Sequence, residues 1–228
     1  MNDGINLQMM GSNDMQRSVN NQELQQTFTS GNHRKLVDQF VGNLSTFEVS
    51  NAHLMVGSLT FLGQLNEAYI QFEKYQKGFN DFQLASCQFY LGLSECRIGN
   101  YQKSFALFTN IFDHFHFSTD DQVLFFCHQG FAFYYFFVGD FKKAEEFAYT
   151  SLKHSLSAND RYEQLLATDL MGHVYIQRGQ LYAGLQYLES ALNLGEILKI
   201  EGHKDTIEAS ILIYRAEYGL LNQGVEIN

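Results

Sequence analysis

The sequence contains no proline and no tryptophan among its 228 residues. Proline is common in the turns of β-rich folds and interrupts helices, so its absence favours long helices joined by short Gly or Asn/Asp corners. Basic residues are also few: 15 Lys and Arg face 25 Asp and Glu, which gives a formal net charge of −10. Because the basic residues are scattered as well, we expect no nucleic-acid surface and no anionic-membrane surface.

Cysteine is scarce too. The three cysteines, Cys87, Cys96 and Cys127, form no CxxC pair. An odd number of cysteines without a secretory signal is typical of a reducing compartment. The first residues, MNDGINLQMMGSND, have neither a basic start nor the apolar core of a signal peptide. The sequence therefore predicts a cytoplasmic protein.

Apolar residues make up 45% of the chain and aromatic residues 15%, which excludes wholesale disorder. The most apolar stretch, VLFFCHQGFAFYYFFVGD over residues 123–140, is apolar almost all the way round a helix. Such a helix must be covered on more than one side. It is too short for a bilayer and has a polar interruption, so we predict no membrane span. Its Gly139-Asp140 ending indicates a helix stop followed by a helix start.

That ending recurs at a regular period. Glycines stand at positions 63, 99, 139, 179 and 219, spaced by 36, 40, 40 and 40 residues. The position seven residues before each of the first four holds Val56, Gly92, Ala132 or Gly172, and the position five residues after holds Ala68, Ser104, Ala144 or Gly184. Two antiparallel helices joined at a tight corner meet most closely about two turns from it, where small residues let the backbones approach. We predict helix pairs that stack because no pair can bury its faces alone.

Two units carry a family resemblance. The residues are Leu91-Gly92, Gly99-Asn100-Tyr101, Ser104 and Phe108 in one unit, and Met171-Gly172-His173-Val174-Tyr175, Gly179, Gly184, Leu188 and Ala191 in the other. They resemble the tetratricopeptide repeat (TPR) in its long form of about 40 residues, over about residues 48–222. The resemblance implies an all-α, right-handed superhelical solenoid of antiparallel helix pairs, with about four repeats plus a terminal helix.

The predicted domain organisation is a flexible polar tail over residues 1–30 and a helical repeat domain over residues 31–228. The predicted segments of that domain are a lead-in helix at 33–47, repeats at about 48–78, 80–116, 119–157 and 159–200, and a final helix at 204–222. An alternative concerns the tail, because Leu24 and Phe28 are four residues apart and could share one helix face. A short helix near Asn21–Phe28 would then be a docking segment, and residues 20–47 could occupy the groove of the array.

The resemblance also implies a concave groove lined by the first helix of each pair. The predicted groove positions are His53, Phe89, Leu93, Arg97, Gln129, Phe133, Phe136, Phe137, Asp169, His173, Gln177, Ile213 and Glu217. Five less informative positions, Gly57, Thr60, Cys96, Ile176 and Ala209, face the same way. The centre of this set is aromatic and its sides are polar, which is the usual composition of a peptide-binding or helix-binding groove.

No catalytic motif is visible. The sequence has no GxSxG, HExxH, P-loop or GxGxxG pattern, so we expect no enzyme, no catalytic residues and no cofactor. A His-x-His spacing occurs at residues 113–116, with Asp120 and Asp121 following. Metal ligation is conceivable there, but the segment falls at a corner between repeats, where polar loop residues and helix caps are expected. We therefore predict no metal site.

The predicted function is a non-enzymatic interaction module or scaffold that binds another protein or peptide in the groove. Two alternatives use the same fold: a peptide-sensing domain of a bacterial signalling protein, and a chaperone for an apolar client segment. Self-association through the aromatic surface is a further alternative.

Overall fold

The computed structural model describes residues 21–42 and 49–219, and all regular structure within these ranges is helical. The α-helices are α1 (residues 21–29), α2 (His33–Gly42), α3 (Ala52–Phe61), α4 (Leu65–Tyr75), α5 (Asp81–Arg97), α6 (Tyr101–Phe115), α7 (Asp121–Phe137), α8 (Phe141–Ala158), α9 (Arg161–Gln177), α10 (Leu181–Leu198) and α11 (Glu201–Glu217). Short 3₁₀ turns at Val49–Asn51 and Gln76–Gly78 precede α3 and follow α4.

The helices from α3 to α10 form four antiparallel pairs, α3/α4, α5/α6, α7/α8 and α9/α10. Each first helix also packs against the first helix of the next pair, so α3, α5, α7 and α9 form one continuous layer. The last helix, α11, packs on α10. The predicted all-α solenoid of stacked helix pairs, followed by a terminal helix, is confirmed.

The corner within each pair is a glycine turn. At Gly139, φ is 82°, a left-handed conformation that glycine adopts without a steric penalty. The following N–H, of Asp140, donates to the Tyr135 carbonyl at 2.9 Å, which closes the end of α7. The Asp140 side chain then accepts from the Lys143 N–H and begins α8. One residue therefore ends the first helix and the next starts the second.

The corners between pairs use side-chain caps instead. Asn80 and Gln83 form a reciprocal capping box at the start of α5. Asp120 accepts from the Gln122 N–H at the start of α7, and Asp160 accepts from two N–H groups at the start of α9. These caps fix the residues at which α5, α7 and α9 begin.

The small residues lie where the paired helices meet. A Cβ built at Gly92 of α5 would lie 2.5 Å from the Phe108 ring of α6, closer than real Cβ atoms come to other atoms. A Cβ at Gly172 would lie 2.6 Å from Leu188 of α10. In the first pair, Val56 and Ala68 are both fully buried, so a valine fits at that contact.

The N-terminal part differs from the predicted flexible tail. Residues 21–29 form α1, and Leu24 and Phe28 are 7% and 3% exposed and belong to the main hydrophobic core. The two side chains share one helix face and are buried against the core. The hydrophobic effect of this burial stabilises the helical segment. Residues 1–20 of the predicted tail lie outside the described residues, as do residues 43–47 of the predicted lead-in helix. The final helix runs from Glu201 to Glu217, and residues 220–222 of its predicted range are outside the description.

No membrane-spanning candidate exists among the helices described, because none combines sufficient length with sufficient hydropathy.

Candidate functional site

Helix α1 lies across the layer formed by the first helices of the pairs. The Phe28 ring meets Phe61 of α3, Tyr90 of α5 and Tyr162 of α9 edge-on, with centroid distances of 6.1, 5.5 and 6.4 Å. A single side chain that touches the first, second and fourth pairs must lie on the side towards which the array curves. Helix α1 therefore occupies the concave groove.

Gly57 of α3 provides the space for Phe28. A Cβ built at Gly57 would lie 2.8 Å from Phe28 Cε2 and 3.1 Å from Tyr90 Cδ2. Any larger residue would push the Phe28 ring out of its position, because both neighbours are large and buried. The seat for α1, formed by Gly57, Tyr90 and Tyr162, therefore has room for Phe28 only because residue 57 is a glycine.

The start of α1 is fixed by a hydrogen bond. Asn51, at the start of α3, donates from Nδ2 to Asn21 Oδ1 at 2.7 Å. The inward face of the helix then consists of Leu24, Thr27 and Phe28, while most of the other α1 residues are exposed. Helix α1 is therefore amphipathic, with a short apolar face directed into the groove.

The segment continues through the groove at His33. The His33 ring stacks on Phe61 at 4.3 Å with the two planes 2° apart, and its Nδ1 lies 3.2 Å from Ser58 Oγ. Burial, and next the charge of His203 on α11, lower the His33 pKa to about 4, so the ring is neutral at pH 7. The Tyr162 ring lies 6.3 Å from His203 of α11 and 6.4 Å from Phe28, so the terminal helix α11 lies close to the N-terminal segment.

A cavity of about 280 Å³ lies beside Phe28. Its walls are mainly apolar and aromatic, and its polar groups come from α1, α3, α5 and the start of α9. The lining residues are Gln25, Phe28, Thr29, His53, Leu54, Phe82, Ser86, Tyr90, Phe126, Asn159, Asp160, Arg161, Tyr162, Glu163, Leu166 and Leu198.

Two ionisable groups in this cavity are neutral at pH 7. Burial, followed by the charges of Asp160, Asp120 and Asp121, raises the Glu163 pKa to about 9. Burial lowers the His53 pKa to about 4, against a smaller opposing effect of a backbone hydrogen bond at Ser50. Glu163 Oε2 is buried without a hydrogen-bond partner. The cavity is therefore aromatic, with unused hydrogen-bonding capacity.

A second cluster lies further along the concave side, on α7, α9 and α11. The Phe136 ring is 6.3 Å from His173, whose Nδ1 is 2.9 Å from the Tyr214 hydroxyl. His173 Nε2 is 3.5 Å from Asp169 Oδ1. The structure thus brings together three of the predicted groove residues, Phe136, Asp169 and His173, and adds Tyr214.

The predicted groove residues fall into three classes of exposure. Those in the core are Phe89, Leu93 and Gln129; those half-buried are His53, Phe133, Phe136, Phe137, Asp169 and His173; those exposed are Arg97, Gln177, Ile213 and Glu217. The half-buried and exposed residues are accessible to a partner, whereas the three core residues are not.

Gln129 shows why a predicted groove residue can be structural. Its Nε2 donates to the Leu166 carbonyl of α9 at 3.2 Å, and its Oε1 accepts from Ser151 Oγ of α8 at 2.5 Å. The side chain is fully buried and links α7 to both neighbouring helices. It therefore satisfies buried polar groups and does not face the groove.

Sequence reasoning missed Phe61, Tyr90, Tyr162 and Glu163, which contact α1 or line the cavity. The predicted positions concentrate in the part of each first helix near its glycine corner, whereas α1 also reaches the starting turn of α9. The spacing of Phe82, Ser86 and Tyr90, four residues apart, is the signal that marks this second stripe on α5. This spacing is visible in the sequence, but residues that face the core of a helix pair have the same spacing, so it does not identify a groove.

The His-x-His segment lies at the end of α6. His114 Nδ1 is 2.8 Å from the Asn110 carbonyl, and His116 Nδ1 is 2.7 Å from the Phe112 carbonyl. Within residues 21–42 and 49–219, no three His, Cys, Asp or Glu side chains are grouped as metal ligands.

No protein-family model matches the chain. A search of the curated proteins also finds no match.

Proposed function

We propose that this protein is a non-enzymatic interaction module that binds an amphipathic helix of another protein in the concave groove now occupied by α1. The observation that carries the proposal is α1 itself. It is a helix held by one apolar face, and its Phe28 ring fits a space left by Gly57. A groove that accepts this helix has the shape and chemistry to accept a similar one.

The tetratricopeptide family is part of the proposal. Support comes from the glycine corners with φ between 72° and 83° at Gly63, Gly99, Gly139 and Gly179. The close contact of Gly92 with Phe108 supports it too, as does that of Gly172 with Leu188. Repeats of this family bind peptides on the concave side, which is where α1 lies.

Helix α1 is suited to reversible docking. It is nine residues long, which is too short to be a stable helix on its own. Its attachment depends on two large apolar side chains, so its release exposes little core. Tethering supplies an effective concentration of about millimolar, which a partner must overcome through additional contacts. A partner helix with a leucine and an aromatic residue four positions apart, plus contacts at Phe136 and His173, meets that requirement.

The test uses a fluorescent peptide with the sequence of residues 21–32 and fluorescence anisotropy. We expect the Phe28→Ala protein to bind the peptide more tightly than wild type, because its own α1 competes less well. Gly57→Leu in the same background should abolish this binding by filling the seat. Phe117→Ala, which changes a phenylalanine that is 87% exposed, is the matched control and should behave as wild type.

Equal affinity of wild type, Phe28→Ala and Phe28→Ala/Gly57→Leu would contradict the proposal. A library of short extended peptides is the comparison for the sensing alternative. Tighter binding of such peptides than of any helix, with compaction of the array, would favour sensing over helix binding.

A further inference from the structure

The cavity beside Phe28 contains an unusual carboxyl group. Glu163 is 3% exposed, it lines the cavity, and its Oε2 has no hydrogen-bond partner. An unpartnered buried polar atom lowers stability, because its hydrogen bonds to water are lost without replacement. The ligand that would use this atom must carry a hydrogen-bond donor and must enter the cavity.

Two of the carboxylates that act on Glu163 already have partners. Asp160 accepts from the Tyr162 and Glu163 N–H groups and from Gln122 Nε2. Asp121 Oδ1 lies 2.8 Å from His154 Nδ1. Glu163 is therefore the carboxyl that has spare hydrogen-bonding capacity towards the cavity.

The electrostatics of the cavity favour a cation. Three carboxylates, Asp120, Asp121 and Asp160, act on Glu163 through their negative charge. The other titratable groups that face the cavity are His53, which is neutral at pH 7, and the hydroxyls of Tyr90 and Tyr162, whose pKa values burial raises. The one lining residue that is positively charged at pH 7, Arg161, is exposed to solvent.

The side chains that line the cavity also favour binding of a cation that carries an apolar group. Phe28, Phe82 and Phe126 line the space, and the faces of aromatic rings attract cations. Leu54 and Leu166 offer apolar surface for a hydrocarbon body. A volume of about 280 Å³ is just below the usual range for drug-sized ligands, so the cavity suits a small ligand.

We propose that this cavity binds a primary ammonium group on an apolar body, with Glu163 as its anionic partner. The ligand is either a free amine or the lysine side chain of a bound protein. On binding, Glu163 gives up its proton to solvent and the carboxylate pairs with the ammonium group. Gln25, Phe28 and Thr29 of α1 form part of the cavity wall, so the site exists while α1 is docked. The test therefore uses the full wild-type chain, and it does not depend on whether the groove binds a partner helix.

The experiment is isothermal titration calorimetry on the full chain at pH 7, with 2-phenylethylamine as the probe. Titrations in phosphate and in Tris, whose ionisation enthalpies differ, measure the proton released, and we expect about one per ligand. The neutral analogue 2-phenylethanol should bind at least about tenfold more weakly, because it forms no charge-assisted hydrogen bond. Nα-acetyl-lysine amide is the second probe. Tighter binding than the aromatic amine indicates a protein lysine as the natural ligand, and weaker binding indicates a free amine.

The variant is Glu163→Gln, which has nearly the shape of the protonated carboxyl group and should fold. We expect it to bind the amine at least about tenfold more weakly and to release no proton. Glu208→Gln, the same change at an exposed position on α11, should bind as wild type. Equal binding of the amine and the alcohol, no proton release, or no binding at millimolar amine would overturn the proposal. These measurements on wild type decide it even if Glu163→Gln does not fold.

Discussion

The Phe108 ring of α6 lies against Gly130 of α7, where a Cβ would come within 2.4 Å of Phe108 Cδ1. The same ring lies against Gly92 of α5. Phe108 is fully buried and cannot move aside without displacing other core side chains. One aromatic ring thus fixes the spacing between the second and third helix pairs.

We expect Gly130→Ala to lower the free energy of unfolding by about 1–3 kcal/mol, because the added methyl group overpacks this contact. Urea denaturation followed by circular dichroism measures the change. Gly195→Ala in α10 is the control, since its Cβ would have no neighbour closer than 3.6 Å. That variant should raise stability by up to about 1 kcal/mol through helix propensity. A stabilising effect at Gly130 would show that the contact is not tight.

Phe28→Ala should release α1 and leave the array folded. Loss of the large ring removes most of the apolar surface that holds the nine-residue helix. The contacts that helices α5 to α10 make with one another remain. Hydrogen-exchange mass spectrometry should show faster exchange in residues 21–29 and unchanged protection in α7 and α10. Leu156→Ala, at an exposed position on α8, is the control. Uniformly faster exchange throughout the chain would mean that α1 folds as one unit with the array.

Gln129→Ala should act as a core substitution. It removes the link from α7 to the Leu166 carbonyl and to Ser151, so we expect a loss of about 1–3 kcal/mol in unfolding free energy. Peptide binding to the groove in the Phe28→Ala background should not change at temperatures where the variant is folded. Weaker peptide binding with unchanged stability would place Gln129 in the groove after all.

Acid should destabilise the protein through its buried histidines. The pKa values of His33, His53 and His128 are lowered to about 4, mainly by burial, against 6.5 in the unfolded chain. Between pH 6.5 and 4 the unfolded state binds more protons, so stability falls as the pH falls, by up to about 1.4 kcal/mol per pH unit for each histidine. Urea denaturation at pH 7 and pH 5 should show a smaller difference for His128→Gln than for wild type. His114→Gln is the exposed control. An unchanged pH difference in His128→Gln would exclude a contribution from His128.

Glu163 should have the opposite pH dependence. Its pKa of about 9 in the folded chain exceeds 4.5, so the folded state binds more protons between these values and stability falls as the pH rises. We expect Glu163→Gln to be more stable than wild type at pH 8 and similar to it at pH 5. Thermal unfolding at the two pH values, without added amine, measures this. Identical pH profiles would mean that Glu163 is ionised in the folded protein.

The fold could be predicted from the sequence because its determinants are local and repeated. A corner such as Gly139-Asp140 specifies a helix end and a helix start within two residues, and four such corners in phase specify the stack. The exposure of Gln129 could not be predicted in this way. A polar residue on a first helix fits a groove or a buried link equally well, and the choice depends on Ser151 and Leu166 of two other helices.

The position of α1 was open for a similar reason. Leu24 and Phe28 predict an amphipathic helix, but the seat is made by Gly57, Tyr90 and Tyr162, which are 29 to 134 residues away in sequence. Contacts at that separation leave no periodic signal. The spacing of Leu24 and Phe28 therefore predicts which face of α1 is buried, but it does not predict which residues that face packs against.

The distance between Phe28 and Tyr162 along the chain also has a consequence during synthesis. Residues 21–29 emerge from the ribosome before helices α2 to α11, and Tyr162 of α9, which forms one wall of their binding site, follows 134 residues after Phe28. At about 5–20 residues per second this is a delay on the order of ten seconds. During that interval Phe61 of α3 and Tyr90 of α5 have been synthesised but α9 has not. Phe28 then lacks its contact with Tyr162, so it covers Phe61 and Tyr90 less firmly. Another helix present at that time competes for the surface before the tethered segment can close it.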